Sequence, residues 1–342
     1  MEKAGKGSLF NRADNGAITC LACANRCSML EKKSGICKAR HNINGELMAP
    51  YGYVSAMNID PIEKKPFYHV RPGSATMSFG MLGCNFHCVF CQNWHISQLI
   101  KEGRWEGEIN ELSPGDIIEI TKGKNIDIIV STYNEPLISP EWAGDIFELA
   151  RKTGMLTGFV SNGHATREAI DFIAPKLDMM NIDLKTFSTE KYKKYCGGRL
   201  SAVLDTIKLL REKGIWVELV TLVIPGFNDS KEEIRDMADF ISSVDRGIPW
   251  HFTAFHPDYK MLDRGRTPMK TLDMAFETGR EAGLYFVYTG NRSGAHSDSE
   301  NTICPGCKKT LIFRDGYDVV KNEMSGANCP ECGAVIPGIF TA

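Results

Sequence analysis

Twelve cysteines lie in this sequence of 342 residues, and eleven of them fall into three tight groups. Cys84, Cys88 and Cys91 form a C-x3-C-x2-C run. Cys304, Cys307, Cys329 and Cys332 form two C-x2-C pairs separated by 21 residues. Cys20, Cys23, Cys27 and Cys37 place four thiols within 18 residues, and only Cys196 stands alone. The first residues, MEKAGKGSLFNRADNGA, contain no apolar leader core, and no apolar run approaches the ~20 residues a membrane span needs. The expectation is therefore a cytoplasmic protein. Structural disulfides are rare in that compartment, so these cysteines point to metal, cluster or catalytic chemistry. Cys196, in KKYCGGRL, reads as a buried or incidental thiol.

Each group suits a different chemistry. Three thiolates on one short loop can bind three irons of a [4Fe–4S] cube and leave the fourth iron for a chelating small molecule. The competing reading is a zinc loop completed by His87 or His95. The two terminal C-x2-C pairs read as a zinc ribbon, in which tetrahedral S4 coordination folds a segment too small for a core of its own. An auxiliary iron–sulfur cluster is the competitor there. The N-terminal four are less specific. They take zinc, the preferred reading, or an auxiliary [4Fe–4S] cluster.

The central run resembles the signature of the radical S-adenosylmethionine (SAM) superfamily, with an aromatic, Phe90, just before the third cysteine and a predicted strand just ahead of the first. The resemblance implies that Cys84, Cys88 and Cys91 hold the cube and that SAM chelates its open iron. TYNEP at 132–136 is similar to the superfamily segment that binds the methionyl amine, which implies Asn134 and Glu135 as acceptors. VSNG at 160–163 and DLK at 183–185 resemble SAM-contacting positions of the pyruvate formate-lyase activating enzymes. They imply Ser161 and Asn162, Asp183 for the amine or ribose, and Lys185 for the carboxylate. Read alone, NEP is an ordinary turn and DLK a solvated strand end, although residues two apart on a strand do face one side. IEKKPFYHVRPGS, CQNWHISQ, STYNEP, HFTAFHPDYKM and the terminal CPxC…CPxCG together resemble the radical SAM member of the AMMECR/Memo/radical-SAM (AmmeMemoRadiSam) group, over nearly the whole chain.

The activity so implied is reductive cleavage of SAM to a 5′-deoxyadenosyl radical. That radical abstracts hydrogen from an unidentified small-molecule or protein substrate. The expected partners are SAM, an external flavodoxin- or ferredoxin-type donor, and Memo-like and AMMECR-like proteins. One alternative is an activating enzyme that installs a glycyl radical on a partner. An alternative of another class is a non-catalytic iron–sulfur/zinc protein for electron transfer or nucleic-acid binding. Forty basic against 42 acidic residues, a net charge of -2, argues against a duplex binder. His256 and Tyr133 are candidates for the substrate pocket, with Asp258 beside them; His251 lies on the strand that precedes His256. Phe86, Phe90 and Trp94 would keep water from the cluster.

These residues must be positioned by regular elements. From about 75 to 290, short apolar runs alternate with amphipathic ones. Strands are predicted at 76–82, 126–131, 155–160, 178–182, 216–224, 250–255 and 284–289. Helices are predicted near 114–123, 140–153, 166–174, 200–213, 230–243 and 270–282. Ser113-Pro114, Ser139-Pro140 and Asp229-Ser230 suit helix starts, and Gly154, Gly214 and Gly283 suit stops. The pattern implies an α/β fold with a parallel sheet and crossover helices, which an open sheet and a barrel satisfy equally; the superfamily resemblance implies a partial (β/α)6 TIM-like barrel. The expected division is an N-terminal Cys-rich module at 1–72, the barrel at 73–295 and a zinc ribbon at 296–342. The first 70 residues look irregular, apart from a hairpin turn at Asn44-Gly45.

Overall fold

A computed structural model describes residues 3–292 and 298–340. The boundary expected at 295/296 lies outside the described residues. The chain divides into two compact units. One comprises Met1–Ile59, Thr76–Met180 and Tyr192–Ile215; the other comprises Asp60–Ala75, Asn181–Lys191 and Trp216–Ala342.

The principal sheet has eight strands hydrogen-bonded in chain order. They are β1 (Ala56–Pro61), β2 (Ala75–Gly80), β3 (Ile128–Ser131), β4 (Leu156–Ser161), β5 (Met179–Asp183), β6 (Trp216–Val223), β7 (Trp250–Ala254) and β8 (Val287–Gly290). β3 pairs in parallel with β2 and β4, and β7 with β6 and β8. Their runs are mostly apolar and buried along their length, as in IIVS and WVELVTLV, because a parallel sheet is covered on both faces. The seven predicted strands correspond to β2–β8. β1 was not foreseen; its sequence, AMNIDP, is interrupted by Asn58 and Asp60 and ends in proline. The bonds Ser55 N–H to Gly80 O and Ile62 N–H to Ser74 O run it back against β2.

Six helices alternate with these strands: α1 (Pro114–Gly123), α2 (Pro140–Lys152), α3 (Arg167–Ile173), α4 (Leu200–Glu212), α5 (Lys231–Val244) and α6 (Met269–Glu281). Ser113 and Asp116 close a capping box on α1, and Ser230 caps α5 through Glu233 N–H. Ser139 precedes α2 without a side-chain cap, and Pro140 alone sets that start. Gly154, Gly214 and Gly283 follow α2, α4 and α6 with φ of +79°, +74° and +88°, the left-handed stop a helix end favours.

The N-terminal segment is more ordered than its composition suggests. Ala4–Lys6, Glu46–Pro50 and His41–Ile43 form one small antiparallel sheet, and Phe10–Arg12, Ile18–Cys20 and Ser28–Met29 another. Asn44 and Gly45 both take positive φ in the predicted hairpin turn. A segment too poor in apolar residues for a core of its own borrows one: Leu9, Ile18, Leu21, Met29 and Leu47 pack with Ala169 and Phe172 of α3. In the second unit, Thr302–Ile303, Thr310–Asp315 and Asp318–Asn322 form the three-stranded terminal sheet. Its Leu311, Ile312, Cys304 and Cys329 are buried with Tyr68, Phe286 and Tyr288.

Candidate functional site

The three-cysteine loop begins where β2 ends. Gly80 is required there, because a Cβ would come 2.6 Å from Thr132 O. Cys88 is buried, and Cys84 and Cys91 are half-buried. Phe86 N–H points at Cys84 Sγ (3.3 Å), and Cys91 Sγ lies 3.2 Å from Ser97 Oγ. The loop is pinned from outside by a π-helical turn, Tyr192–Cys196. His87 N–H donates to Cys196 O (2.8 Å) and Val89 N–H to Tyr195 O (3.1 Å). The two glycines after that turn let it approach; a Cβ on Gly197 or Gly198 would run into the His87 or Phe86 ring at 2.3 or 2.2 Å. Cys196 is buried, as expected, and serves the loop through its carbonyl.

Charge at this loop opposes a bare thiolate. Burial pushes the Cys84 thiol well up, and Glu135 and Cys88 add to that, while Lys101 and Phe86 N–H oppose it. A metal that takes the thiolate relieves this cost. The three sulfurs do not close on a single point. Among the described residues, the only group of three or more Cys, His, Asp or Glu with ligand atoms within 4.8 Å of one another is Cys304, Cys307, Cys329 and Cys332. Such an open set fits a cube, whose thiolates bind separate irons, better than it fits one ion. Phe86 and Phe90 are buried around it, as a water-excluded cluster requires, and Trp94 is half-buried.

The TYNEP and VSNG segments meet in the same unit. Glu135, 2% exposed, accepts from Ser161 Oγ (2.6 Å), Asn162 N–H (2.8 Å) and Leu137 N–H (3.0 Å). Asn162 Nδ2 donates to Asn85 Oδ1 (2.7 Å) and lies 4.0 Å from Cys84 Sγ. Asn134 braces the loop from the other side: Oδ1 accepts Met81 N–H (3.0 Å) and Nδ2 donates to Gly83 O (3.1 Å). Tyr133 takes φ +69°, and its hydroxyl accepts from Asn58 Nδ2 at 3.1 Å. The structure thus gathers Cys84, Asn134, Glu135, Ser161 and Asn162. Sequence reasoning missed Asn85, Ser97 and Lys101. Their signal was faint: a serine and a lysine in the mixed run WHISQLIK, and an asparagine between two cysteines.

In the second unit, Asp183 and Lys185 share a side and pair at 3.0 Å. His256 is exposed. His251 is buried against Glu218, Nε2 to Oε2 at 2.7 Å, and Glu218 also accepts from Tyr68 N–H, His69 N–H and Trp216 Nε1. That set of bonds makes His251 part of a packed polar cluster. The ribbon thiols pair closely, Cys304 with Cys332 and Cys307 with Cys329, each at 3.6 Å. They can hold one metal ion.

The N-terminal thiols lie in the first unit. Cys20, Cys23 and Cys37 are buried and Cys27 is half-buried. Cys23 is bridged to Ala165, and Ala24 N–H donates to His164 O, which ties this segment to the turn after β4. Arg40 reaches across to α2, its two terminal nitrogens 2.7 Å from the two oxygens of Glu141.

Residues 80–241 match the Radical SAM superfamily. An uncharacterized protein of Methanocaldococcus jannaschii, MJ0808, is 38% identical over 331 residues, covering 96% of this chain and 97% of that one. The pyruvate formate-lyase-activating enzyme of Staphylococcus aureus is 22% identical over 206 residues, 57% of this chain and 78% of that one. Among solved structures, a domain of the pyruvate-formate lyase-activating enzyme from Bacteroides vulgatus superposes with a TM-score of 0.42 and 19% identity, covering 47% of this chain and 98% of that one.

Proposed function

Because this chain belongs to the radical SAM superfamily, we propose that Cys84, Cys88 and Cys91 hold a [4Fe–4S] cluster and that Glu135, Ser161 and Asn162 line the place of SAM beside it. A cluster of this kind, with SAM bound, supplies one-electron cleavage of the S–C5′ bond to methionine and a 5′-deoxyadenosyl radical. The observation that carries the reading is the hydrogen-bonded chain from Glu135 through Asn162 to Cys84. Its residues do three things. The cysteines fix the cluster on a loop that Cys196 and Asn134 hold still. Glu135 places a buried negative charge where an ammonium group can meet it. Phe86 and Phe90 exclude water, which protects a reactive site from side reactions.

Asp183 and Lys185 are proposed as further SAM contacts on the superfamily resemblance, and Asn134, Phe90, Tyr133 and His256 as residues near cofactor or substrate. The ribbon is proposed to hold zinc. The division into residues 1–72, 73–295 and 296–342 is proposed as a division of roles: accessory, catalytic and structural. The substrate is a small molecule or protein from which hydrogen is abstracted, in the setting of the AmmeMemoRadiSam group, with Memo-like and AMMECR-like proteins as partners and a flavodoxin- or ferredoxin-type donor. The two accessory segments favour this over a minimal glycyl-radical activating enzyme. Among the described residues no helix is long and apolar enough to cross a membrane, and a cytoplasmic location is part of the proposal.

The test is anaerobic reconstitution followed by incubation with SAM and dithionite. The wild-type protein should form 5′-deoxyadenosine and Cys88→Ala none. A Cys88→Ala protein that still forms it would refute the assignment.

A further inference from the structure

We infer that Cys20, Cys23, Cys27 and Cys37 hold a second [4Fe–4S] cluster, placed against the radical loop, rather than a zinc ion. Its role as an electron relay rests on the radical SAM reading; its existence does not.

The first observation is the spread of the four sulfurs. Around one zinc, thiolates at about 2.3 Å from the metal stand about 3.8 Å apart. The ribbon thiols do so, with two pairs at 3.6 Å. Among the described residues no other set gathers three ligands within 4.8 Å, so the N-terminal four are set wider, as Cys84, Cys88 and Cys91 are. They nevertheless form one group. Cys27 Sγ and Cys37 Sγ lie 3.5 and 3.7 Å from where a Gly35 Cβ would stand. Cys20 N–H donates to Cys27 O (3.0 Å), and Arg26 N–H to Cys23 O (3.0 Å).

The second observation is what surrounds them. A backbone N–H is aimed at one of the sulfurs, Ile36 at Cys27 Sγ (3.5 Å). Such bonds stabilise cluster thiolates and tune their potential. Two side chains, each 1% exposed, carry buried polar atoms without a hydrogen-bond partner: Arg40 Nε and Asn85 Nδ2. Buried donors of that kind are costly unless something accepts from them. Arg40 lies three residues after Cys37, and Asn25 Nδ2 donates to Asn85 O (3.1 Å), which sets Asn85 beside the Cys23 loop. A cluster with four thiolates carries net negative charge, which both groups would meet.

The third observation is proximity. Asn85 follows Cys84, and its Oδ1 lies 3.8 Å from Cys84 Sγ. One amide side chain therefore stands between the two sulfur sets. The backbone is as close: a Cβ on Gly83 would meet Cys37 O at 3.1 Å. An electron from a flavodoxin- or ferredoxin-type donor would reduce the second cluster from 2+ to 1+. Passing on, it would reduce the central cluster from 2+ to 1+ and return the second to 2+.

The test is a metal and sulfide count on the anaerobically reconstituted full chain. About eight irons, eight acid-labile sulfides and one zinc are expected. The triple variant Cys84→Ala/Cys88→Ala/Cys91→Ala should keep about four of each and one zinc, with a reduced electron paramagnetic resonance signal that SAM does not alter. Two zinc ions and no sulfide in that variant would overturn the inference. In Cys23→Ser/Cys37→Ser, 5′-deoxyadenosine formation should fall more than tenfold with the protein donor and much less with dithionite. An equal loss with both reductants would overturn the relay. A wild-type protein that carries the second cluster but forms no 5′-deoxyadenosine would instead overturn the radical SAM reading.

Discussion

Glu135 is buried and accepts hydrogen bonds from Leu137, Ser161 and Asn162, so its carboxylate is held in place before any ligand arrives. Preorganisation of this kind removes the cost of ordering the group on binding. Glu135→Gln keeps the shape and removes the charge. A hydrogen bond to a charged group contributes about 1.5–3 kcal/mol, so SAM affinity should fall roughly 10- to 150-fold with the cluster retained. Titration with SAM, read by electron paramagnetic resonance, checks this; unchanged affinity would mean that Glu135 only braces Ser161 and Asn162. Asn134 shows where motif reading ends. TYNEP named the right segment, but which of its side chains turn to the backbone depends on Met81 and Gly83, about 50 positions earlier.

At the scale of elements, α2 anchors the N-terminal segment through one carboxylate. Glu141 meets Arg40 with both oxygens and accepts from Ser8 N–H and Leu9 N–H. Burial would raise Glu141, but Arg40 overrides it and holds the carboxyl below its ordinary range. Removing one partner of a buried pair leaves an uncompensated charge, at a cost of about 3–5 kcal/mol. Glu141→Ala should lower the urea midpoint and open residues 3–40 to limited proteolysis; protection equal to wild type would contradict the anchoring role. In the second unit His69 holds the chain end, with Nδ1 2.7 Å from Pro337 O and Nε2 2.7 Å from Tyr288 Oη. Burial lowers its pKa to about 4, with Arg314 and His251 adding to the effect against Glu218 and Pro337 O. The unfolded chain takes up the proton near pH 6.5 and the folded chain does not. Stability is thus present above about 6.5 and declines as pH falls towards 4, by up to about 1.4 kcal/mol per pH unit. His69→Gln should narrow the difference between urea midpoints at pH 7 and pH 5. An unchanged difference would assign the pH dependence elsewhere.

Across the whole molecule, legibility followed the range of the interaction. The strands β2–β8 and all six helices were readable because each is a local pattern: an apolar run, or an amphipathic one, which in α2, α4 and α6 is ended by glycine. β1 was not readable, since AMNIDP becomes a strand only by pairing with β2. The central cysteine run stands out in the sequence by its spacing. Arg40 with Glu141, 101 positions apart, and Asn85 with Asn162, 77 apart, were not, because only the fold brings them together. The central claim is that the three-cysteine loop carries a cluster with one iron open to SAM. The most direct test is addition of SAM to the reduced protein, followed by electron paramagnetic resonance. The account predicts a saturable change in the cluster signal of the wild-type protein, and no such SAM-responsive signal in Cys88→Ala. A wild-type signal indifferent to SAM, or the same response in Cys88→Ala, would contradict it.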